Sequence, residues 1–251
     1  MSSRTAFVTG GAQGIGRGIA TALGAQGVRV GVVDRNLDAA RVTAESITAA
    51  GGAAVAVHAD VTDTGSVQAA VRAVATELGP VEIAVNNAGW DDFMNFLDTT
   101  EDFWERVLDI NFKGMLRVTH TVVPGMIERG WGRVVNIGSD AGRVGSSLEA
   151  VYSGAKGGTI AFTKTLAREV ARHGITANTV CPGPTDTPML QAFADKSGDG
   201  AKVLAGMTRG IPMRRLAEPA DVAAAVAFFA SDATGYITGQ TLSVSGGLTM
   251  A

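Results

Sequence analysis

The stretch TAFVTGGAQGIG, residues 5–16, decides how the rest of the chain is read. Its first five residues are short, apolar and β-favouring, which predicts a buried strand. Glycines at 10, 14 and 16 follow at once, and apolar residues then recur at helical spacing to about Gln26. A strand that passes through glycines straight into a helix presents free backbone N–H groups at the helix N-terminus, where the dipole favours an anion. The GxxxGxG spacing is a variant of the more familiar GxGxxG dinucleotide fingerprint, and the physics is shared: missing side chains let backbone approach a pyrophosphate. A tight glycine turn with no ligand is the alternative, and the strand before it and helix after it favour nucleotide binding. Gly10, Gln13, Gly14, Ile15 and Gly16 are therefore candidate cofactor contacts.

Further along, residues 28–33 are rich in valine and end in Asp34. A carboxylate there, about twenty residues beyond the glycines, can accept hydrogen bonds from adenosine ribose hydroxyls. The same charge repels a 2′-phosphate, so NAD is expected over NADP. Arg35 pulls the other way, since a guanidinium could pair with that phosphate. Residues 36–50 read as helix, 53–58 as strand and 62–78 as helix. Asp60 and Val61 lie where a loop could clamp an adenine ring, and the same place could N-cap the helix at 62–78. Residues 81–85 form the next strand and run into Asn86-Asn87-Ala88-Gly89. A helical segment at 100–128 is expected to break or bend near Pro124. A strand at 131–138, a helix at 149–171 and a strand at 175–180 follow. An irregular region to 216, a helix at 219–230 and a strand at 240–244 complete the chain. The alternation predicts an α/β fold: a Rossmann-like, doubly wound parallel sheet of seven strands with helices on both faces.

At 251 residues, with 46% hydrophobic and 18% charged side chains, the chain can bury a sizeable core. No linker, charge block or short repeat divides it, so a single domain over 1–251 is the simpler reading. Its 21 basic and 24 acidic residues leave a net charge of −3, with no nucleic-acid footprint. The single cysteine, Cys181, excludes an internal disulfide and a cysteine-only metal cluster, and the histidines show no ligand spacing. No metal is expected. The N-terminus lacks the apolar core of a signal peptide, and no apolar run approaches membrane-spanning length. A soluble, cytoplasmic protein with no membrane partner is expected.

The chemistry is concentrated in SDAGRVGSSLEAVYSGAK, residues 139–156. Tyr152 and Lys156 stand four apart in a helical run and so share one face. A free phenol has a pKa of about 10, and a neighbouring ammonium favours its ionised form. Such a pair can move a proton near neutral pH without a histidine. Ser139 follows a strand, where its hydroxyl could hold a substrate oxygen. Asn111 interrupts a helical pattern at some cost in propensity, and a distortion there could expose its backbone carbonyl.

Together these residues resemble the short-chain dehydrogenase/reductase family from one end of the chain to the other. The marks are Thr9-Gly10-x-x-x-Gly14-Ile15-Gly16, Asp60-Val61, Asn86-Asn87-Ala88-Gly89, Asn111, Ser139, Tyr152-x-x-x-Lys156 and Pro182-Gly183. The resemblance implies a nicotinamide cofactor and reversible hydride transfer between an alcohol and a ketone. It implies that Tyr152 is the acid/base, that Lys156 lowers its pKa and holds the nicotinamide ribose, and that Ser139 orients the substrate oxygen. Asn111 would keep a water that links Lys156 to bulk solvent. Asn87, Ala88 and Gly89 would pass close to the cofactor, Pro182, Gly183, Thr185 and Thr187 would border the nicotinamide, and Asn86 would be structural. Ser245 stands where relatives commonly carry aspartate. The family also implies a homotetramer in which long helices pair between subunits.

Two stretches, IGSDAGRVGSS at 137–147 and CPGPTDT at 181–187, together with Trp90-Asp91, are similar to the 2-hydroxycyclohexanecarboxyl-CoA dehydrogenase subgroup. That likeness implies a hydroxyacyl-CoA thioester as the small-molecule substrate. The alternative is a 3-oxoacyl-[acyl-carrier-protein] reductase, which usually uses NADPH; Asp34 counts against it. A reading from another class, a non-catalytic NAD-binding regulator, has no use for the complete set of Asn111, Ser139, Tyr152 and Lys156. Trp90, Arg143, Gly145 and Met189 are candidate substrate contacts. Residues 184–216 are long for a connection and are expected to form a substrate lid. Their cations Lys202, Arg209, Arg214 and Arg215 lack a matching acidic cluster; solvated surface is the default reading, and phosphates of an acyl-coenzyme A or carrier protein are the alternative.

Overall fold

Strand β1 (Thr5–Thr9) is buried at every position, as an apolar run without alternation requires of a strand covered on both faces. In the computed structural model, which describes residues 4–196 and 198–250, it lies inside a parallel sheet. Helix α1 (Gly14–Ala25), strand β2 (Arg29–Asp34), helix α2 (Leu37–Ala49), strand β3 (Ala53–His58) and helix α3 (Thr64–Leu78) follow. The chain then crosses β1 to strand β4 (Ile83–Asn86), helices α4 (Glu101–Leu108) and α5 (Gly114–Arg129), and strand β5 (Gly132–Ile137). A short helix α6 (Ala141–Val144) and a long α7 (Ala150–Val170) lead to strand β6 (Ile175–Pro182). Helices α8 (Pro188–Lys196), α9 (Gly200–Gly210) and α10 (Pro219–Ala230) precede the last strand, β7 (Thr241–Val244). The order across the sheet is β3-β2-β1-β4-β5-β6-β7, and every neighbouring pair is parallel. The expected α/β class and seven strands are therefore observed. Winding reverses between β1 and β4, which opens a crevice beyond their carboxyl ends.

Alternate strand residues feed two apolar layers. Val8, Val30, Val32 and Val180 pack with Ile19 and Leu23 of α1, Ile47 of α2, and Val226 and Phe229 of α10. Phe7, Val33 and Ala177 point the opposite way, against Val74 of α3, Val122 and Met126 of α5, and Leu166 and Val170 of α7. Polar groups inside this sheet need partners, and Asn86 Nδ2 finds two. Its Nδ2 donates to Asn136 Oδ1 at 2.8 Å and Thr119 Oγ1 at 3.1 Å, while Asn136 Nδ2 donates to Thr163 Oγ1 at 2.8 Å. This network ties β4 and β5 to α5 and α7, a structural role.

Three local expectations change. Helix α3 begins at Thr64 with Asp63 as its cap, accepting from the Gly65 and Ser66 N–H groups. Asp60 closes the turn before it, accepting from the Thr62 N–H at 2.9 Å and the Thr62 hydroxyl at 2.7 Å. The segment at 100–128 does not break at Pro124, which sits inside α5 on its exposed side, where water can take the carbonyl left free. The interruption is a π-helical turn at Asp109–Lys113, centred on Asn111. Asn111 Nδ2 donates to Val107 O at 2.9 Å, competing for the carbonyl a regular helix would give to the backbone. Finally, residues 184–216 are not irregular: α8 starts on Pro188 and α9 is capped by Asp199, which accepts from Lys202 N at 3.1 Å.

Candidate active site

The carboxyl ends of β1 and β4 are bound to each other through main chain. Thr9 Oγ1 accepts from the N–H groups of Asn87 and Ala88, both at 3.0 Å, and Asn87 Nδ2 donates to the carbonyls of Thr9 and Gly10. A Cβ on Gly16 would lie 2.0 Å from Gly10 O, so only glycine allows this turn to close. The first turn of α1 holds no acid, and Gln13 makes no side-chain cap. Its N–H groups are thus available to an anion. Asp34 is fixed against the same turn: Oδ2 accepts from Ala12 N at 3.1 Å and Oδ1 from Asn36 N at 2.9 Å. Each oxygen keeps a lone pair for a further donor. Hydrogen bonds from Thr62, and more weakly the charge of exposed Arg35, hold the Asp60 carboxyl below its ordinary range.

These groups line one cleft of about 1590 Å³ that runs across the strand ends from β3 to β6. Ordinary ligand pockets span roughly 300–1,000 Å³, so there is room for a dinucleotide and a second molecule. Gly10, Gln13 to Gly16, Asp34, Arg35, Asp60, Val61 and Asn87 to Gly89 face it from one side. Ser139, Tyr152, Lys156, Pro182, Gly183, Thr185 and Thr187 face it from the other. The whole cofactor set read from the sequence is brought together here.

Tyr152 and Lys156 lie on successive turns of α7, and Lys156 Nζ is 5.5 Å from the centre of the phenol ring. The ammonium is buried and donates to Ile137 O at 2.9 Å. Burial pulls Lys156 down to about 8. Tyr152 is hydrogen-bonded to Ser139, which favours its ionised form. Burial and then the charges of Glu149 and Asp91 act more strongly and push the phenol above its ordinary value. The sign is opposite to the expected depression by Lys156, because burial of the phenol comes first and the charges of Glu149 and Asp91 add to it.

Asn111 is buried and does not line the cleft. Its side chain clamps the backbone of Trp90, with Nδ2 to Trp90 O at 2.6 Å and Trp90 N to Oδ1 at 3.2 Å. A Cβ on Gly89 would stand 2.9 Å from Asn111 Oδ1 and 3.7 Å from Lys156 Nζ, so this glycine lets amide and ammonium approach.

Side chains close the far end of the cleft. Trp90 lies under the Arg106 guanidinium at 3.8 Å and edge-on to Phe103 at 5.7 Å. Phe93 meets Phe193 of α8 with ring centres 3.8 Å apart, and Lys196 bonds both Asp92 oxygens at 3.0 Å. Trp90, Gly145 and Met189 face the cleft. Arg143 does not: its Nη1 donates to Ser243 Oγ at 2.7 Å, and Ser243 donates in turn to Asp140. Helix α6 sets this direction, and no sequence spacing announced it. Among the lid cations, Arg215 pairs with Asp221, whose carboxyl falls to about 2. Ser245, the departure from aspartate, accepts from Thr249 N at 3.2 Å. Asp91 entered the sequence reading only beside Trp90, and no periodic or motif signal brought it together with Glu149, or joined Phe93 to Phe193 and Asp92 to Lys196. No helix among the described residues is long and apolar enough to cross a membrane.

A family model described as enoyl-(acyl carrier protein) reductase matches residues 10–249. The chain is 41% identical over 253 residues to oxidoreductase UcpA of Salmonella typhimurium, covering 100% of this chain and 96% of that one. It is 41% identical to acetoacetyl-CoA reductase of Shinella zoogloeoides over 98% of each chain. It is 37% identical to 3-oxoacyl-[acyl-carrier-protein] reductase FabG of Staphylococcus epidermidis, over 99% of this chain and 100% of that one. Among solved structures, a variant of actinorhodin polyketide ketoreductase with NADPH superposes at a TM-score of 0.95 and 38% identity, over 99% of both chains.

Proposed function

The chain belongs to the short-chain dehydrogenase/reductase family, and from that premise we propose that it interconverts a secondary alcohol and a ketone, with NAD(H) as cofactor and Tyr152 as the acid/base. The observation that carries this reading is the meeting of Ser139, Tyr152 and Lys156 in the same cleft as an uncapped helix N-terminus and Asp34. The glycine turn and the first N–H groups of α1 would hold the pyrophosphate. Asp34 would take the adenosine ribose hydroxyls, with Asp60 and Val61 beside the adenine. Asn87 to Gly89, and Pro182, Gly183, Thr185 and Thr187, would hold the nicotinamide half. When bound, the nicotinamide supplies or accepts the hydride.

The chain's own part is to hold one oxygen and move one proton. Ser139 and Tyr152 offer two hydroxyls to the same substrate oxygen, an arrangement that suits a carbonyl better than a carbon–carbon double bond. In reduction Tyr152 Oη donates its proton to that oxygen; in oxidation it takes the proton back. Lys156 spends one N–H on Ile137 O and keeps two for the ribose and a proton route. The π-helical turn at Asn111 frees backbone carbonyl capacity near that route, which supports a water there.

The choice of NAD(H) rests on Asp34, whose charge opposes a 2′-phosphate, against Arg35, which would attract one. The solved ketoreductase relative holds NADPH, so the choice of NAD(H) here rests on Asp34 alone. As substrate class we infer 3-hydroxyacyl and 3-oxoacyl thioesters, supported by likeness to proteins named acetoacetyl-CoA reductase and 3-oxoacyl-[acyl-carrier-protein] reductase. Helices α8 and α9, as a lid, would cover such a chain. Tyr152→Phe should lower turnover about 10²–10⁴-fold while the NADH dissociation constant stays nearly unchanged. Near-normal turnover would overturn the acid/base assignment. In a kinetic panel with NADH and NADPH, activity on sugars or steroids with none on thioesters would overturn the substrate class.

A further inference from the structure

Two carboxyls that this chemistry leaves unused line a small recess together with the catalytic phenol. Asp91 follows Trp90, whose backbone Asn111 clamps, and Glu149 stands just before α7, three residues ahead of Tyr152. Met94 N donates to Leu148 O at 2.9 Å, pinning the loop that carries Asp91 to the loop that carries Glu149. Asp91, Glu149 and Tyr152 all line the cleft. Glu149 is hydrogen-bonded to Ser146, and Asp91 accepts from the Asp92 N–H. The second oxygen of Asp91, Oδ2, is shut off from water and has no hydrogen-bond partner. A carboxyl in that condition is costly to keep ionised, and a buried polar atom without a partner calls for an explanation.

We propose that Asp91 and Glu149 form a carboxyl pair that holds the proton on Tyr152, so that the site gives a proton to a carbonyl more readily than it takes one from an alcohol. The inference rests on Tyr152 as acid/base and adds the direction of the reaction: reduction. Negative charge beside a phenol opposes formation of the phenolate. Lys156 and, in the oxidised holoenzyme, the nicotinamide ring act in the opposite sense, and both are common to the wild type and the carboxyl variants. From α7 comes one cation, Lys156; from the end of β5 comes the neutral Ser139. Cys181 of β6 is pushed up to about 11 and stays an uncharged thiol. Asp92 is engaged by Lys196 of α8, and Arg106 of α4 lies over the Trp90 ring.

Burial and then the Glu149 charge lift Asp91 to about 7. Below that pH Asp91 is neutral and adds little; above it, its charge tightens the hold on the Tyr152 proton. Rising pH therefore frees the phenolate less than an isolated phenol–ammonium pair would allow. Asp91 is a positioning residue in this scheme, acting on the proton through Tyr152.

The test is a set of pH profiles of kcat/KM in both directions for the holoenzyme, Asp91→Asn, Glu149→Gln and Tyr152→Phe. Asparagine keeps the shape of Asp91 and removes its charge. The acid limb of alcohol oxidation should move down by about one pH unit in Asp91→Asn, with a shift of the same sign in Glu149→Gln. A readout free of turnover is the ultraviolet tyrosinate band. The protein has two tyrosines, and subtracting the Tyr152→Phe titration removes the signal of exposed Tyr236. The Tyr152 band should emerge at lower pH in Asp91→Asn. Unmoved limbs and an unmoved band in both carboxyl variants, with Tyr152→Phe inactive, would overturn the carboxyl pair alone. An active Tyr152→Phe would bring down the acid/base reading and this inference with it.

Discussion

At the cofactor end of the cleft the contacts involve main chain. Thr9 and Asn87 bond backbone on the neighbouring strand, Gly16 rests on Gly10, and Asp34 is held by two amides. At the substrate end the contacts join side chains from separate segments: Phe93 to Phe193, Asp92 to Lys196, Arg106 to Trp90. The first kind of site is positioned by the sheet, so its geometry follows wherever the strands pair. The second depends on which side chains two loops and a lid happen to carry. A protein built this way can change substrate without disturbing the grip on its cofactor.

Three substitutions test that contrast. Asp34→Ala removes the charge that opposes a 2′-phosphate, and like-charge juxtapositions cost several kcal/mol. The ratio of kcat/KM for NADPH over NADH should rise by roughly 30-fold, about 2 kcal/mol, with the thioester KM little changed. An unaltered ratio would break the claim that this end reads the dinucleotide through Asp34. Phe193→Ala deletes one ring of the pair that joins lid to loop, a contact of about 1 kcal/mol beyond simple burial. It should raise KM for the acyl substrate roughly fivefold and leave the NADH dissociation constant alone. A matching loss of NADH affinity would show that the two ends are not separable. Asp92→Asn is the mildest, because Asp92 and Lys196 are both substantially exposed. A change in KM of about twofold is expected at low salt, and it should vanish at high salt; persistence there would mean the pair acts by more than charge.

The outcome of the sequence reading divides along the same line. The place of Asp34 was legible because a strand end and a glycine turn are local patterns, and the structure sets its carboxylate against that turn. Asn111 was legible only as a polar interruption: the π-helical turn at Asp109–Lys113 was open to inference, whereas its grip on the Trp90 backbone was not. Pro124 misled because proline opposes a helix on average, while an exposed proline in a long helix is tolerated. Residues 184–216 read as irregular because their glycines hide two helices whose start signals, Pro188 as first residue and Asp199 as cap, are single residues. Arg143 sat in a stretch full of site residues, yet α6 carries its guanidinium to Ser243 instead.

What the chain's order of residues determined by itself is everything with a short period: the alternation of strands and helices, the glycine turn, and the pairing of Tyr152 with Lys156 four residues on. These need only backbone geometry and steric fit within a few residues. The tertiary structure alone decided that Asp91 joins Glu149 and Lys156 among the charges around the phenol. Asp91 and Tyr152 lie far apart in the chain and on different elements, and only folding brings the carboxyl beside the hydroxyl. Burial and Coulomb forces both depend on what surrounds a group in space, so the direction in which Tyr152 shifts had no signature along the sequence.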